Sequence, residues 1–442
     1  MTYSETIEFL YRIRLFGQKL GLDMMQRLLG VMGNPEHALR FIHIAGTNGK
    51  GSVAAMSQAV LTATGYKTAL YTSPHLVSFC ERFQIDGTLI AEADIVRLVE
   101  QIRPLLDKVA TLSDSRSPTF FETVTALALQ YFHEQNVDVV VWETGLGGRL
   151  DATNVVTPLV SVITNVAFDH MQYLGDTLEK IATEKCGIIK PGRPVVTAAA
   201  APEALGVIQR TCAESGCPLT IIGQHVRGAQ LDETVCGQRL RLSGTRRDYG
   251  TLEIPLLGAH QTINCATAVA ALEASGIRFG VKDLRDGLKR TRWPGRFQII
   301  HNKPPVVLDG AHNAAAAEEL AATIRNHFPG RRATLILGVL RDKNYEQICP
   351  LLAPLAARVF CVPVNSERTC DPQQLVPLCR AANPRAEVKA CANLQEAYAQ
   401  AARGQDDLVI ITGSLFLVGE ALGRLRLASG PAPSSEKEFI LQ

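Results

Sequence analysis

Lys50 lies in the stretch HIAGTNGKGS (43–52), where three glycines, two hydroxyl side chains and one lysine fall close together. Gly46, Gly49 and Gly51 let the backbone pass close to an anion and turn its N–H groups toward it. A helix beginning there adds the positive end of its dipole. Lys50 supplies a charge that can reach β- and γ-phosphates, and the hydroxyl of Ser52 or Thr47 can reach phosphate or Mg²⁺. The spacing differs from the standard P-loop, because the leading glycines are too close and Gly51 separates Lys50 from Ser52. An ordinary tight strand-to-helix turn would also use such glycines. The lysine inside the turn and the apolar strand before it favour phosphate, so Thr47, Asn48, Gly49, Lys50, Gly51 and Ser52 are read as the ATP-binding loop.

Such a loop needs a strand to launch it and a helix to receive it, and the chain supplies both repeatedly. Strand-like apolar runs at 41–46, 67–73, 137–143, 159–166, 194–198, 305–310, 333–339, 358–364 and 407–414 alternate with helix-like segments such as 52–64, 122–135, 178–189, 314–327 and 394–402. Continuous apolar strands separated by helices predict an α/β fold with a mostly parallel sheet covered on both faces. Residues 223–255 change to short alternating strands, read as a small antiparallel patch on the first domain. Trp293-Pro294-Gly295-Arg296 is turn chemistry and a hinge candidate. The division expected is 1–296 for an ATP-binding domain, 297–430 for a smaller Rossmann-like α/β domain, and 431–442, rich in Pro and Ser, for a loose tail.

Composition narrows the function classes. With 442 residues, two domains are the default. Lys+Arg (45) nearly match Asp+Glu (43), which argues against a broad polyanion-binding surface and against nucleic acid as partner. The N-terminus reads as a helix and not a signal peptide, and no apolar run approaches the roughly 18 residues of a membrane span. Eleven scattered cysteines without a CxxC pair fit neither a disulfide framework nor a zinc site, so a reducing cytoplasm is the simplest home.

GTNGKGS, followed after the next strand by TSPHL (72–76), resembles the Mur ligase family, and within it the folylpolyglutamate synthase/dihydrofolate synthase branch. The likeness continues through ERFQIDG (81–87), TFFE (119–122), ETGLGGRLDATN (143–154), FDH (168–170), EKCGIIKPG (184–192), GAHQTIN (258–264), WPGRF (293–297), LDGAHN (308–313) and ITGSLFLVGE (411–420), spanning nearly the whole chain. The resemblance implies an ATP-dependent ligase. The γ-phosphate passes to a substrate carboxylate, and the amine of L-glutamate attacks the acyl phosphate to give an amide, ADP and phosphate. Dihydropteroate, folate or both would be the acceptor. Two Mg²⁺ ions are expected, K⁺ is an additional candidate, and the protein is taken to act as a monomer.

The same resemblance assigns roles. Ser73, Glu143 and His170 match metal ligands, and each also follows a strand-like run, at the edge where ligands collect in open sheets. Lys185 matches a lysine carbamylated by CO₂ that holds a second Mg²⁺; its segment opens on Asp176-Thr-Leu-Glu179, a capping-box pattern. Asn264, Arg296 and Asp309 match nucleotide contacts, and Arg296 suits charge developing on a phosphoryl group. Lys50, Lys185 and His312 are the catalytic candidates. Thr119, Phe120, Phe121, Glu122, Leu150, Asp151 and Ala152 are assigned to the pterin, and Ser414 to the incoming glutamate. GQKLGL (17–22) lacks the acidic residue that bifunctional members carry nearby. Taken singly, these residues also suit turns, caps and core packing. Two other readings stand beside this one: a Mur-type ligase acting on a cell-wall precursor, and a nucleotide-binding protein that performs no ligation.

Overall fold

In the computed structural model, which describes residues 1–14, 21–112, 117–302, 304–404 and 406–427, the apolar runs become the centres of two large sheets. The first contains β1 (Phe41–Ala45), β2 (Thr68–Tyr71), β3 (Phe83–Ile85), β4 (Thr88–Leu89), β5 (Val139–Glu143), β6 (Val160–Ile163), β7 (Val195–Thr197) and β8 (Leu219–Ile221). Their order is β4-β3-β2-β5-β1-β6-β7-β8. Six strands run parallel, and β3 and β4 add an antiparallel edge. β1 is buried at all five positions, as a central parallel strand covered on both faces must be. Successive residues serve opposite cores: Val139 and Val141 pack with Ile42 and Ile44 under helix Lys50–Ala63, while Val140 and Trp142 pack with Phe41 under helix Phe120–Glu134.

The alternating stretch at 223–255 forms a separate antiparallel sheet of β9 (Arg227–Thr234), β10 (Gly237–Ser243) and β11 (Asp248–Ile254). Its inward residues Leu240, Leu242, Leu252 and Ile254 join the core beneath helix Ala259–Ala274. The C-terminal body is a six-stranded sheet of β12 (Gln298–Asn302), β13 (Pro305–Asp309), β14 (Ala333–Leu337), β15 (Arg358–Cys361), β16 (Glu387–Ala390) and β17 (Leu408–Thr412), ordered β12-β13-β17-β14-β15-β16. All neighbours pair parallel except β12 with β13.

Residues following β1, β5 and β6 and residues following β13 line one cleft. Helix Leu178–Cys186 is capped differently from the sequence expectation. Thr177, not Asp176, accepts the Lys180 N–H at 3.3 Å, and Asp176 pairs with the Lys180 ammonium at 2.7 Å, so no capping box forms. All eleven cysteines are free thiols. Among the described residues no helix is long and apolar enough to cross a membrane. The proposed tail 431–442 lies outside the described residues.

Candidate active site between the two sheets

The glycine-rich loop leaves β1 and turns into helix Lys50–Ala63 through two left-handed glycines, Gly46 (φ 152°) and Gly49 (φ 85°). Each also sits against a neighbour. A Cβ on Gly46 would meet Thr164 Oγ1 at 1.9 Å, and one on Gly49 would meet Asn264 Oδ1 at 2.4 Å. Gly51 serves packing: its Cβ would strike the Trp293 ring at 2.4 Å. The loop is tied down by Thr47 N to Asn165 O (2.9 Å), Asn48 N to Asn165 Oδ1 (2.7 Å) and Thr164 Oγ1 to Asn48 O (2.6 Å). The Thr47 hydroxyl donates to Ala167 O at 3.1 Å and accepts the Ala167 N–H, which occupies it within the protein. Lys50 Nζ donates to Gly46 O and Thr47 O at 3.1 and 3.3 Å, curling over its own loop. Ser52 is buried at the helix start.

Around this loop lies a cavity of about 480 Å³, lined by the loop and by Ser73, Glu143, His170, Lys185, Asn264, Arg296, Asp309 and His312. The residues assigned to ATP, metal and catalysis therefore face one space. Asn264 donates to Gln261 Oε1 at 3.0 Å. Arg296 packs on Gly310, where a Cβ would meet its terminal nitrogen at 2.4 Å. Asp309 accepts the N–H groups of Phe297 and Ala311, both at 2.8 Å, which fixes its carboxylate at the end of β13.

Burial reshapes two of these groups. The Glu143 carboxyl is pushed up to about 7 by burial, moderated by the Lys50 charge and by the Ser73 N–H; Lys50 Nζ stands 4.0 Å from Glu143 Oε1. The Lys185 ammonium is lowered to about 7 by burial and by the nearby Lys50. An exposed helix lysine is thus not what the fold gives: Lys185 is 2% exposed.

His170 adopts a left-handed backbone (φ 50°) ahead of the turn Met171–Leu174. Burial and the ammonium of Lys343 lower its imidazole to about 4. Its neighbour Asp169 collects donors from the other body: Lys343 Nζ at 2.6 Å, Asn313 Nδ2 at 3.2 Å, with His312 Nε2 at 3.6 Å. Burial would raise this carboxyl, but His312, Lys343 and His170 together hold it well below the usual carboxylate range. Asn313 also exchanges amide hydrogen bonds with Asn48 at 2.9 and 3.2 Å, fastening the phosphate loop to the C-terminal body. His312 Nδ1 pairs with Gly310 O at 2.7 Å, leaving Nε2 directed at Asp169. Asp169, Asn313 and Lys343 were not among the sequence candidates. Asn313, ahead of Ala314–Ala317, carries an N-cap signal and accepts the Ala316 N–H, whereas nothing local marks Lys343 as a partner of residue 169.

A second cavity, about 460 Å³, shares Ser73, Gly145, His170 and His312 with the first. Phe120, Phe121, Leu150, Ala152 and Ser414 line it. Thr119 and Glu122 also reach it, yet their main bonds form the capping box of helix Phe120–Glu134, with Thr119 N to Glu122 Oε2 at 2.7 Å. Asp151 accepts from Leu146 N (2.7 Å) and Thr153 N (3.0 Å), and burial raises its carboxyl despite those bonds. Residues 17–20 of GQKLGL lie outside the described residues; Gly21 lines the second cavity.

Ser73, Glu143 and His170 line one cavity and offer a hydroxyl, a carboxyl and an imidazole, a donor chemistry that fits a divalent cation held by few protein ligands and completed by phosphate oxygens and water. Among the described residues no three His, Cys, Asp or Glu side chains converge as a metal-binding group.

A strand-launched anion loop meeting a second α/β body across a cleft defines a two-body nucleotide-dependent enzyme. Residues 44–272 match the Mur ligase middle domain, and residues 295–415 match the Mur ligase glutamate ligase domain. A dihydrofolate synthase/folylpolyglutamate synthase of Bacillus subtilis is 34% identical over 435 residues, covering 96% of this chain and 99% of that protein. The crystal structure of folylpolyglutamate synthase from Thermotoga maritima superimposes with a TM-score of 0.86 at 36% identity, over 99% of this chain and 98% of that one. That of the Mycobacterium tuberculosis folylpolyglutamate synthase complexed with ADP gives 0.90 at 32% identity, over 98% and 99%. The chain belongs to the Mur ligase family, in its folylpolyglutamate synthase/dihydrofolate synthase branch.

Proposed function

We propose that this chain is an ATP-dependent ligase that joins L-glutamate to folate, and also to dihydropteroate, through an acyl phosphate. The observation that carries the reading is the junction of the two cavities. A phosphate-loop cavity and an aromatic-walled cavity meet at Ser73, His170 and His312, so a γ-phosphate and a substrate carboxylate can be brought together there. The relative from Bacillus subtilis is named for both activities, which supports two acceptors.

Residues 1–296 are taken as the ATP-binding unit and 297–430 as the glutamate-ligase unit. Thr47–Ser52 and Asn264 cradle the phosphates, with Arg296 at the hinge and Asp309 closing from the second unit. Lys50 leaves its own loop carbonyls for the γ-phosphate, and Arg296 neutralises charge as the phosphoryl group moves. His312 orients and shuttles the proton of the attacking amine. Ser73, Glu143 and His170 would hold one Mg²⁺, which would offset the charge between two approaching anions. The Lys185 amine, half neutral near pH 7, can add to the carbon of CO₂: the N–C bond forms as one C=O π pair moves onto oxygen, and an N–H proton is lost to solvent. The resulting carbamate would offer an anionic ligand to a second Mg²⁺. Thr119–Glu122 and Leu150–Ala152 wall the pterin, and Ser414 receives the glutamate.

The test is ADP release by purified protein with Mg²⁺-ATP and L-glutamate, comparing dihydropteroate, a reduced folate monoglutamate and a cell-wall precursor. ADP release dependent on glutamate together with either pterin acceptor is expected. Release supported by neither of them defeats the reading.

A further inference from the structure

The segment ERFQIDG contains a cation that the phosphoryl chemistry leaves unused. Arg82 ends the short turn Phe79–Arg82 and is 6% exposed. Its Nε donates to His75 Nδ1 at 2.9 Å, and its guanidinium lies over the rings of Phe79 and Phe120 at 5.5 and 5.7 Å. His75 accepts this bond through Nδ1. With Nδ1 accepting, its proton sits on Nε2, 3.4 Å from the Tyr11 hydroxyl. Tyr11 in turn stacks on Phe120 with centroids 5.4 Å apart.

Among the described residues no carboxylate forms an ion pair with Arg82. The adjacent Glu81 spends its oxygens on the N–H groups of Leu76, Val77 and Ser78 at 2.7, 2.9 and 2.9 Å. Only Nε of Arg82 has an acceptor there, and the group lines the second cavity. A buried guanidinium without a counter-anion is costly unless a ligand supplies the acceptor. The two flanking rings fix its plane, so its terminal nitrogens form a rigid fork facing the cavity.

We propose that these terminal nitrogens donate to the oxo group of the substrate's pteridine ring. The proposal rests on the folate reading above and deepens it. A flat heterocycle bearing an exocyclic oxygen matches both the aromatic wall and the unfilled donors. The reacting carboxylate belongs elsewhere: it must reach Lys50 and His170, at the junction of the cavities, whereas Arg82, Tyr11 and Phe120 line only the second cavity. Arg82 is thus a specificity residue for the ring end of the acceptor.

The test is equilibrium titration of the full chain with three ligands: folate, its 4-amino analogue in which the ring oxygen is replaced, and p-aminobenzoyl-L-glutamate, which lacks the ring. Arg82→Gln should weaken folate binding about thirtyfold, the size expected for a hydrogen bond from a charged donor, while changing affinity for p-aminobenzoyl-L-glutamate less than threefold. Arg82→Lys should recover part of the loss. Equal weakening of folate and p-aminobenzoyl-L-glutamate would assign Arg82 to a carboxylate and overturn the proposal, as would unchanged folate affinity. Should Arg82→Gln fail to fold, the wild-type protein decides, because tight binding of folate and its 4-amino analogue alike also overturns it. Absence of any folate binding by wild type removes the folate reading itself.

Discussion

Glu143 shows how far one carboxyl can be moved by its surroundings. Its folded value of about 7 lies above the ordinary 4.5 because burial disfavours the anion more than Lys50 rewards it. Between these values the native state binds more protons than the unfolded chain, so stability falls as pH rises from 4.5 to 7 and stays reduced above 7. Glu143→Gln removes that penalty. The ligand-free variant should be more stable than wild type by on the order of 3 kcal/mol at pH 8, and no more stable at pH 4. Thermal melts across this range check the sign; a gain at pH 4 equal to that at pH 8 would mean the carboxyl is not the cause. The same variant should lose ligase turnover, since the proposed metal site loses its anion. At this scale the sequence was most informative where a motif names a residue, as at Lys50, Glu143 and His170. It could not reveal that Lys185 is buried, because burial depends on segments brought in from outside the helix, such as Gly148, which lies against the Glu184 and Lys185 carbonyls.

Elements were legible in proportion to their apolar run. β1, β5, β6, β14 and β17 stand out because their residues are buried on both faces, and helices Ala314–His327 and Leu394–Ala402 coincide with the segments read from periodicity. β3, β4, β8, β12 and β16 escaped notice. They are edge or near-edge strands of two to five residues, and short edge strands carry little of the alternation that marks a strand. The loop between β1 and its helix is different, since glycine there is demanded by geometry. Gly46 combines φ 152° with a Cβ site only 1.9 Å from Thr164 Oγ1, a hydroxyl already bonded to Asn48 O. Gly46→Ala must strain the backbone and displace that hydroxyl, for a loss of about 2–4 kcal/mol. Chemical denaturation should show this, and nucleotide titration should show affinity falling by tenfold or more. Unchanged nucleotide affinity in a destabilised protein would separate the loop's fold from phosphate binding.

At the scale of the whole molecule, Asp169 gathers three of the polar contacts between the two bodies among the described residues. Lys343 and Asp169 are 6% and 8% exposed, so each would leave the other as a buried charge if removed alone. Sequence reasoning placed the hinge near Arg296 but could not find this latch, because residues 169 and 343 approach only after both sheets have formed. Asp169→Asn and Lys343→Met should each loosen closure, raising the radius of gyration in solution scattering and raising KM for ATP more than they lower kcat. Because both act through one ion pair, the double variant should be no more open than either single one, with a coupling energy of roughly 1–3 kcal/mol in the melting cycle. The Asp169 carboxyl sits far below its ordinary range, and a depressed carboxyl contributes stability above its unfolded value. The latch should therefore hold unchanged from pH 9 down to about 4, and scattering across that range tests it independently of Glu143. Strictly additive effects of the two substitutions would show that Lys343 and Asp169 serve separate contacts and that closure is held by Asn48 and Asn313 instead.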